Sequence, residues 1–380
     1  MNSTSTSLKF SFYAKIIFVF MGACFFFYIL YLGQQIILPV LYATMIAILL
    51  NPVVNFLLKH KIKRVMAIAI AVLIAILFSI GLLYLVSTQL SMFRATFPRL
   101  VLKFNELLQH GAHWVSSRFN VDETRVDQLL IKTKGGLLQN ANVMIGHTLV
   151  TITSLLIVVF LIPVYIFMIL YYKPLLMGFV RGIFDKTHHD KVEEVLFMTR
   201  NIIQSYLNGL LIEAVIIAAL NSAALLIIGI DYAILLGILG ALLNVIPFIG
   251  GVLSVAMPII IALATKDSAT YAILVVLMYM LIQFFDNHYI TPKIVASKVK
   301  INALMAVIVV LIGNAIWGIP GMFLAIPLTG IIKVIFEHVE QLRPWAFLLG
   351  DTMPTGRKFT FALPKTSFKR AKQKVYAKEK

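Results

Sequence analysis

The sequence predicts an all-α polytopic membrane protein. Three observations predict it. Apolar side chains make up 60% of the 380 residues and the mean hydropathy is +0.93, a composition foreign to soluble globular domains. Charge-free runs recur at the length of roughly 20 residues that a helix needs to cross a bilayer. Two further runs, Tyr232 to Ala264 and Ala303 to Phe336, are 33 and 34 residues long and are each broken by Pro and Gly. Each is too long for one span and too short for two. About eight hydrophobic segments are expected, two of them re-entrant hairpins of half-length helices.

In order along the chain, residues 1–15 form a polar N-terminal segment expected on the cytoplasmic side. Residues 16–88 supply three spans. Ile16 to Leu32 follows Lys9 and Lys15 like a signal peptide, but no small-x-small cleavage site follows it, so an uncleaved span is expected. Ile36 to Leu58 is the second, with Asn51-Pro52 near its end. The loop Lys59 to Arg64 is basic, and basic loops stay in the cytoplasm. Val65 to Val86 is 22 residues without a charge.

Residues 89–147 change character. Arg94, Arg99, Lys103, Glu106 and other charges alternate with Phe93, Phe97, Leu100, Phe104 and Leu107 at three- and four-residue spacing. Such periodicity marks amphipathic helices, expected outside the bilayer, on the membrane surface or against a neighbouring subunit of a homo-oligomer.

Residues 148–338 form the expected transport core. Leu149 to Tyr172 is a span with a bend expected at Pro163. Lys173 to Arg200 is polar and reads as a solvated cytoplasmic loop. His188-His189 within it has no companion ligands, so no metal and no cofactor are expected. Ile202 to Ile228 is a span containing Glu213. The first broken run follows, then a span from Ala269 to Phe285 ending at Asp286, then the loop Asn287 to Lys300 and the second broken run. Residues 339–380 are a cytoplasmic tail carrying Lys365, Lys369, Arg370, Lys372 and Lys374, suited to anionic lipid and without the aromatic context of a nucleic-acid site. The net charge of +17 is thus read as orientation toward the cytoplasm. The single cysteine, Cys24, permits no intramolecular disulfide.

The two breaks share a pattern. Asn244-Val-Ile-Pro247-Phe-Ile-Gly250-Gly251 and Asn314-Ala-Ile-Trp-Gly-Ile-Pro320-Gly321 each carry an Asn, an Ile-Pro pair and a Gly. Proline cannot donate to the preceding turn. Broken backbone inside lipid persists only where protein or a wet cavity satisfies it. Glu213 precedes Pro247 by 34 residues and Asp286 precedes Pro320 by 34. The equal spacing, and the basic loop Lys293 to Lys300 placed inside, predict an inverted repeat in the C-terminal half, with a site where the breaks meet.

Glu213 stands among Leu211, Ile212, Val215 and Ile216 near the middle of its span. An ionised carboxylate there is costly, and such acids commonly handle protons or cations. Its alternative is a structural hydrogen bond between helices. Asp286, Asn287 and Gln283 form a polar cluster that reads equally as an interfacial cap and as part of a pathway. Asn244 and Asn314 serve the breaks either as ligands or as caps. The chain has no P-loop, no His-Glu-x-x-His and no Gly-x-Ser-x-Gly, so an enzyme is not expected. A secondary transporter, a channel and a structural membrane subunit remain.

Several stretches carry a resemblance. Gly209-Leu-Leu-Ile-Glu213, Gly229-Ile-Asp-Tyr-Ala-Ile-Leu-Leu-Gly237, Asn244 to Gly250, Gln283-Phe-Phe-Asp286-Asn287 with Pro292-Lys293, and Gly318-Ile-Pro-Gly321 to Pro327 resemble the autoinducer-2 exporter family of predicted permeases. The resemblance is strongest from Tyr206 to Phe336. It implies a bacterial inner-membrane permease of about eight hydrophobic segments, moving either a furanone signal or sodium or lithium against protons. The chain departs from the family pattern at Gly251, where proline is usual, and at Asn302-Ala303, where a His-Pro or similar pair is common. Both departures are expected beside the site.

Overall fold

A computed structural model describes residues 12–85, 160–247, 250–266 and 268–351, with isolated helical positions between 87 and 106. The expected amphipathic region 89–147 lies outside the described residues apart from those positions, as do residues 1–11 and the basic tail from residue 352.

The described chain is helical, its one β-contact an isolated bridge between Ile301 and Gly350. The helices are α1 (Phe12–Leu32), α2 (Gln34–Lys59), α3 (Arg64–Leu85), α4 (Phe160–Tyr171), α5 (Lys173–Ile183), α6 (His189–Ile228), α7 (Ala233–Asn244), α8 (Gly250–Thr265), α9 (Thr270–Phe285), the one-turn α10 (Ser297–Val299), α11 (Ala303–His338) and α12 (Arg343–Leu349). Among the described residues, five helical stretches are long and apolar enough by length and composition to cross a membrane, or six if the bent pair α4–α5 is one span. The protein is a multi-pass membrane protein.

Three corrections to the expected segments emerge. The fourth span bends by 64° between Tyr171 and Lys173, and the described helix runs on through Pro163. The expected loop 173–200 is helical: α5 and the first three turns of α6 occupy most of it, and Arg181 pairs with Glu193 at 2.9 Å across the turn between them. Asp286 is not at a span end. The helix of α9 continues through two π-helical segments, Asp286–Ile290 and Pro292–Ala296, into α10, so Asp286 sits mid-way along a helical stretch from Thr270 to Val299.

Two cores organise the helices. α2, α3 and α4 close on Ala43, Ala47, Leu50, Ala67, Ile68, Ala71 and Ile166. The alanines among them, Ala43, Ala47, Ala67 and Ala71, permit the close backbone approach that holds helices together where lipid removes the hydrophobic drive. The opposite side of α2, through Met45, joins a second core with Ile203, Tyr206 and Leu207 of α6 and Leu324 of α11. A third cluster ties the end of α6 to α7, α8 and α9 through Leu225, Leu236, Ile261 and Val275.

Each broken run folds back on itself. α6 ends where Gly229 takes φ +78°, a left-handed cap that favours glycine. The α7–α8 excursion then leaves and returns, since Asp231 just before α7 pairs with Lys266 just after α8 at 3.5 Å. At ~1.5 Å per residue the 12 residues of α7 reach about 18 Å, short of a ~30 Å hydrocarbon core. In α11 the reversal is at Gly318, with φ +62° and ψ −145°, two residues ahead of the expected Pro320. The halves pack so tightly that Gly321 and Gly313 meet backbone to backbone, with Val310, Met322 and Ala325 buried between them. The ends of this hairpin also meet, through Lys333 Nζ donating to the Lys300 carbonyl at 3.0 Å.

Candidate functional site

Three elements converge beneath the first break: the middle of α6, the α9 extension and the α7–α8 turn. Gly209 lets α6 approach the π segment, where an added Cβ would meet the Ile294 carbonyl at 2.7 Å. One turn further along α6 is Glu213, 8% exposed, and facing it is Asp286, 2% exposed.

Thr291 joins the two acids. Its Oγ1 lies 3.0 Å from Glu213 Oε1 and 3.1 Å from Asp286 Oδ1. Residues five apart on an α-helix point about 140° apart. A π turn bonds i to i+5 and brings them to one side, which is how Thr291 reaches Asp286. A hydroxyl has one proton. It donates to one carboxyl and accepts from the other only when that carboxyl is protonated. Beside the hydroxyl's own proton, the arrangement therefore has room for one more, carried by one or the other of the two carboxyls.

Amides complete the cluster. Asn244 Nδ2, from the last residue of α7, donates to Asp286 Oδ2 at 2.8 Å. Gln283 Nε2 donates to Asn287 Oδ1 at 3.2 Å and lies 3.5 Å from Asp286 Oδ2. Gly251 leaves space for this amide, since a Cβ there would meet Gln283 Oε1 at 2.8 Å. The break at Val245–Pro247 thus hands the end of one half-helix to the acids.

The cluster faces a cavity of about 650 Å³, which Pro247, Gly251, Val255, Tyr279, Val310 and Ile326 also line. The Tyr279 hydroxyl is buried there without a hydrogen-bond partner among the described residues. The cavity is polar at the carboxyl end and apolar along its walls, the usual build of a small-molecule site.

Of the sequence candidates, Glu213, Asp286, Asn287, Gln283, Asn244, Pro247 and Gly251 share this cavity. Gly250 begins α8 and packs under Leu243 and Asn244. Asn314 and Pro320 are exposed on the second hairpin and are not among the cavity's lining residues, and Gly321 is buried in that hairpin's own seam. Asn302 is not beside the cavity either. Its Oδ1 accepts from Met305 N to cap α11 and its Nδ2 donates to the carbonyls of Leu348 and Gly350. Thr291, Tyr206 and Tyr279 were missed. Thr291-Pro292 after an acid carries no α-helical signal, and only the π geometry makes it a partner. His188 and His189 engage Thr187 and the Phe184 carbonyl, and no group of three or more metal-type ligands occurs among the described residues.

Comparison with known proteins places these features. The model for the AI-2E family transporter matches residues 16–341. YueF of Bacillus subtilis (strain 168), named as a transport protein, is 24% identical over 80% of this chain and 84% of its own length. The AI-2 transport protein TqsA of Escherichia coli (strain K12) is 26% identical over 84% of this chain and 90% of its own. YrrI of Bacillus subtilis (strain 168), also named for transport, is 24% identical over 82% and 88%.

Proposed function

The chain belongs to the AI-2E transporter family, and on that premise we propose that it is a secondary transporter, a permease or exporter moving a small polar solute across the inner membrane with proton or cation coupling. The observation that carries this reading is the Glu213–Thr291–Asp286 bridge at the polar end of the cavity. Two ionised carboxylates so placed repel one another, and a shared proton or a bound cation removes the repulsion. The state of the pair then controls Asn244, and through Asn244 the end of α7. Solute binding and proton binding are coupled at one hinge, with no nucleotide site and no enzymatic chemistry required.

Both termini are cytoplasmic in this reading, as the basic loop 59–64 and the basic tail favour. The two hairpins enter the membrane from opposite faces as an inverted repeat, a plan supported by the 34-residue spacing of acid to proline in each half and by hairpin ends that return to their origin. A relative bears AI-2 in its name, so AI-2 is the first solute to try. Two carboxyls disfavour an anionic solute in a low-dielectric cavity.

A second reading, exchange of sodium or lithium against protons, is favoured by the oxygen-only ligands of the pair, which suit a hard cation. Proteoliposomes separate the two. Wild-type vesicles are expected to move AI-2 in response to an imposed pH gradient, and Glu213→Gln is expected to lower that response at least tenfold, about 1.4 kcal/mol. Proton release driven by sodium or lithium with no AI-2 flux selects the second reading. Unchanged, pH-dependent flux in Glu213→Gln removes Glu213 from the mechanism.

A further inference from the structure

A second polar cluster lies outside this cavity, where α2, α4, α5 and α6 meet. Lys173, the first residue of α5, reaches back to α2 and donates from Nζ to Asn51 Oδ1 at 2.9 Å. Asn51 is 5% exposed, and its Nδ2 is buried with no partner among the described residues. Arg200 of α6 and Arg64 at the start of α3 are close enough for their charges to bear on the Lys173 ammonium. The Arg200 Nε is also buried and has no hydrogen-bond partner among the described residues. Arg64 donates to the carbonyls of Leu170 and Tyr171 at 3.2 and 3.0 Å, which fixes it against the C-terminal end of α4.

Among the described residues both unsatisfied groups here, Asn51 Nδ2 and Arg200 Nε, are donors, and Arg64, Lys173 and Arg200 all carry positive charge. None of the ion pairs between described residues involves Arg64, Lys173 or Arg200; the nearby acids Glu193 and Glu194 engage Arg181 and His338 instead. Buried donors are nearly always satisfied in folded proteins. The group that would satisfy these is an oxyanion with several acceptor oxygens, and arginine with lysine is the pairing that recognises phosphate.

The surroundings choose among phosphates. α5 turns 64° away from α4 and buries none of its 11 residues. Leu175, Leu176, Phe179 and Ile183 are exposed along it, while Lys173 and Arg181 supply its charge. A short helix of this make-up lies in the plane of the membrane interface, and basic pockets between helices at that depth take anionic headgroups. We propose that Asn51, Lys173 and Arg200, with Arg64 behind them, bind the phosphate of an anionic phospholipid whose acyl chains run along the apolar faces of α4 and α5.

The test uses the full chain, delipidated in an uncharged detergent, and reads the thermal unfolding midpoint and lipid-bound mass. Cardiolipin or phosphatidylglycerol is expected to raise the midpoint by several degrees, and phosphatidylcholine and inorganic phosphate are not. The rise is lost in Lys173→Gln/Arg200→Gln and kept when Lys365, Lys369, Arg370, Lys372 and Lys374 are changed to Gln. If the double variant fails to fold, Arg200→Gln alone, whose side chain is half-buried at the surface, is read against Arg200→Lys, which is expected to restore part of the rise. A rise that survives loss of Arg200, or that vanishes with the tail substitutions, overturns the site. An equal rise with inorganic phosphate overturns the lipid assignment.

Discussion

The two hairpins begin from a shared sequence pattern and end in different work. Each carries Asn, then Ile-Pro, then Gly, and each reverses the chain. In the first, Asn244 turns inward and donates to Asp286. In the second, Asn314 is exposed, and the turn is pinned from outside: Tyr42 Oη of α2 donates to the Pro320 carbonyl at 3.1 Å, and Trp317 Nε1 donates to the Leu30 carbonyl of α1 at 2.9 Å. The first turn, through Asn244, touches the acids. The second is tied to the N-terminal helices. A local break in a helix supplies freed polar groups, and the neighbours decide whether those groups become a sensor or an anchor.

The largest expected effect is on the second hairpin's seam. Gly321→Leu forces a side chain into the Gly313 backbone. Overpacking costs ~1–3 kcal/mol even where side chains can yield, and backbone cannot, so little monodisperse protein is expected by size exclusion. Recovery of normal amounts of folded protein would show that the halves are not in contact. Next comes the paired test of the asparagines. Asn244→Leu is expected to lower flux at least tenfold, equivalent to about 1.4 kcal/mol, while Asn314→Leu leaves it within about twofold. Equal losses at both positions would erase the distinction between sensor and anchor. Smallest is Tyr42→Phe, which removes one hydrogen bond from the anchored turn and is expected to cost about 1 kcal/mol of stability, read as a lower unfolding midpoint with flux per folded molecule unchanged. A change in pH response in this variant would instead give the second turn a part in coupling.

Much of this was legible before any coordinates. The apolar runs and their broken lengths fixed a membrane protein with hairpins, because proline without an amide hydrogen and paired glycines admit few alternatives. An acid in the middle of an apolar span singled out Glu213, and the structure sets Asp286 within reach of the same threonine. Other features depend on context. Pro163 promised a bend, yet among the described residues of that span the helix runs through Pro163 and the chain bends by 64° after Tyr171 instead. Pro320 was the expected pivot, yet Gly318 alone takes the left-handed angles. Asp286 looked like a span end because polar residues and Pro292 follow it, and the π segments carry the helix past them. Thr291 was illegible for the same reason, as five-residue spacing means nothing on an α-helix. Asn314 matched Asn244 in pattern, and only tertiary packing turned it outward.

The central claim is that Glu213 and Asp286 act as one unit through Thr291. A double-mutant cycle in proteoliposomes tests it most directly, with pH-driven flux measured for wild type, Glu213→Gln, Asp286→Asn and the double variant. Groups that share a proton are coupled, so the double variant is predicted to be no slower than the worse single variant, a coupling of at least about 1 kcal/mol. Losses that multiply independently across the two positions would contradict the account.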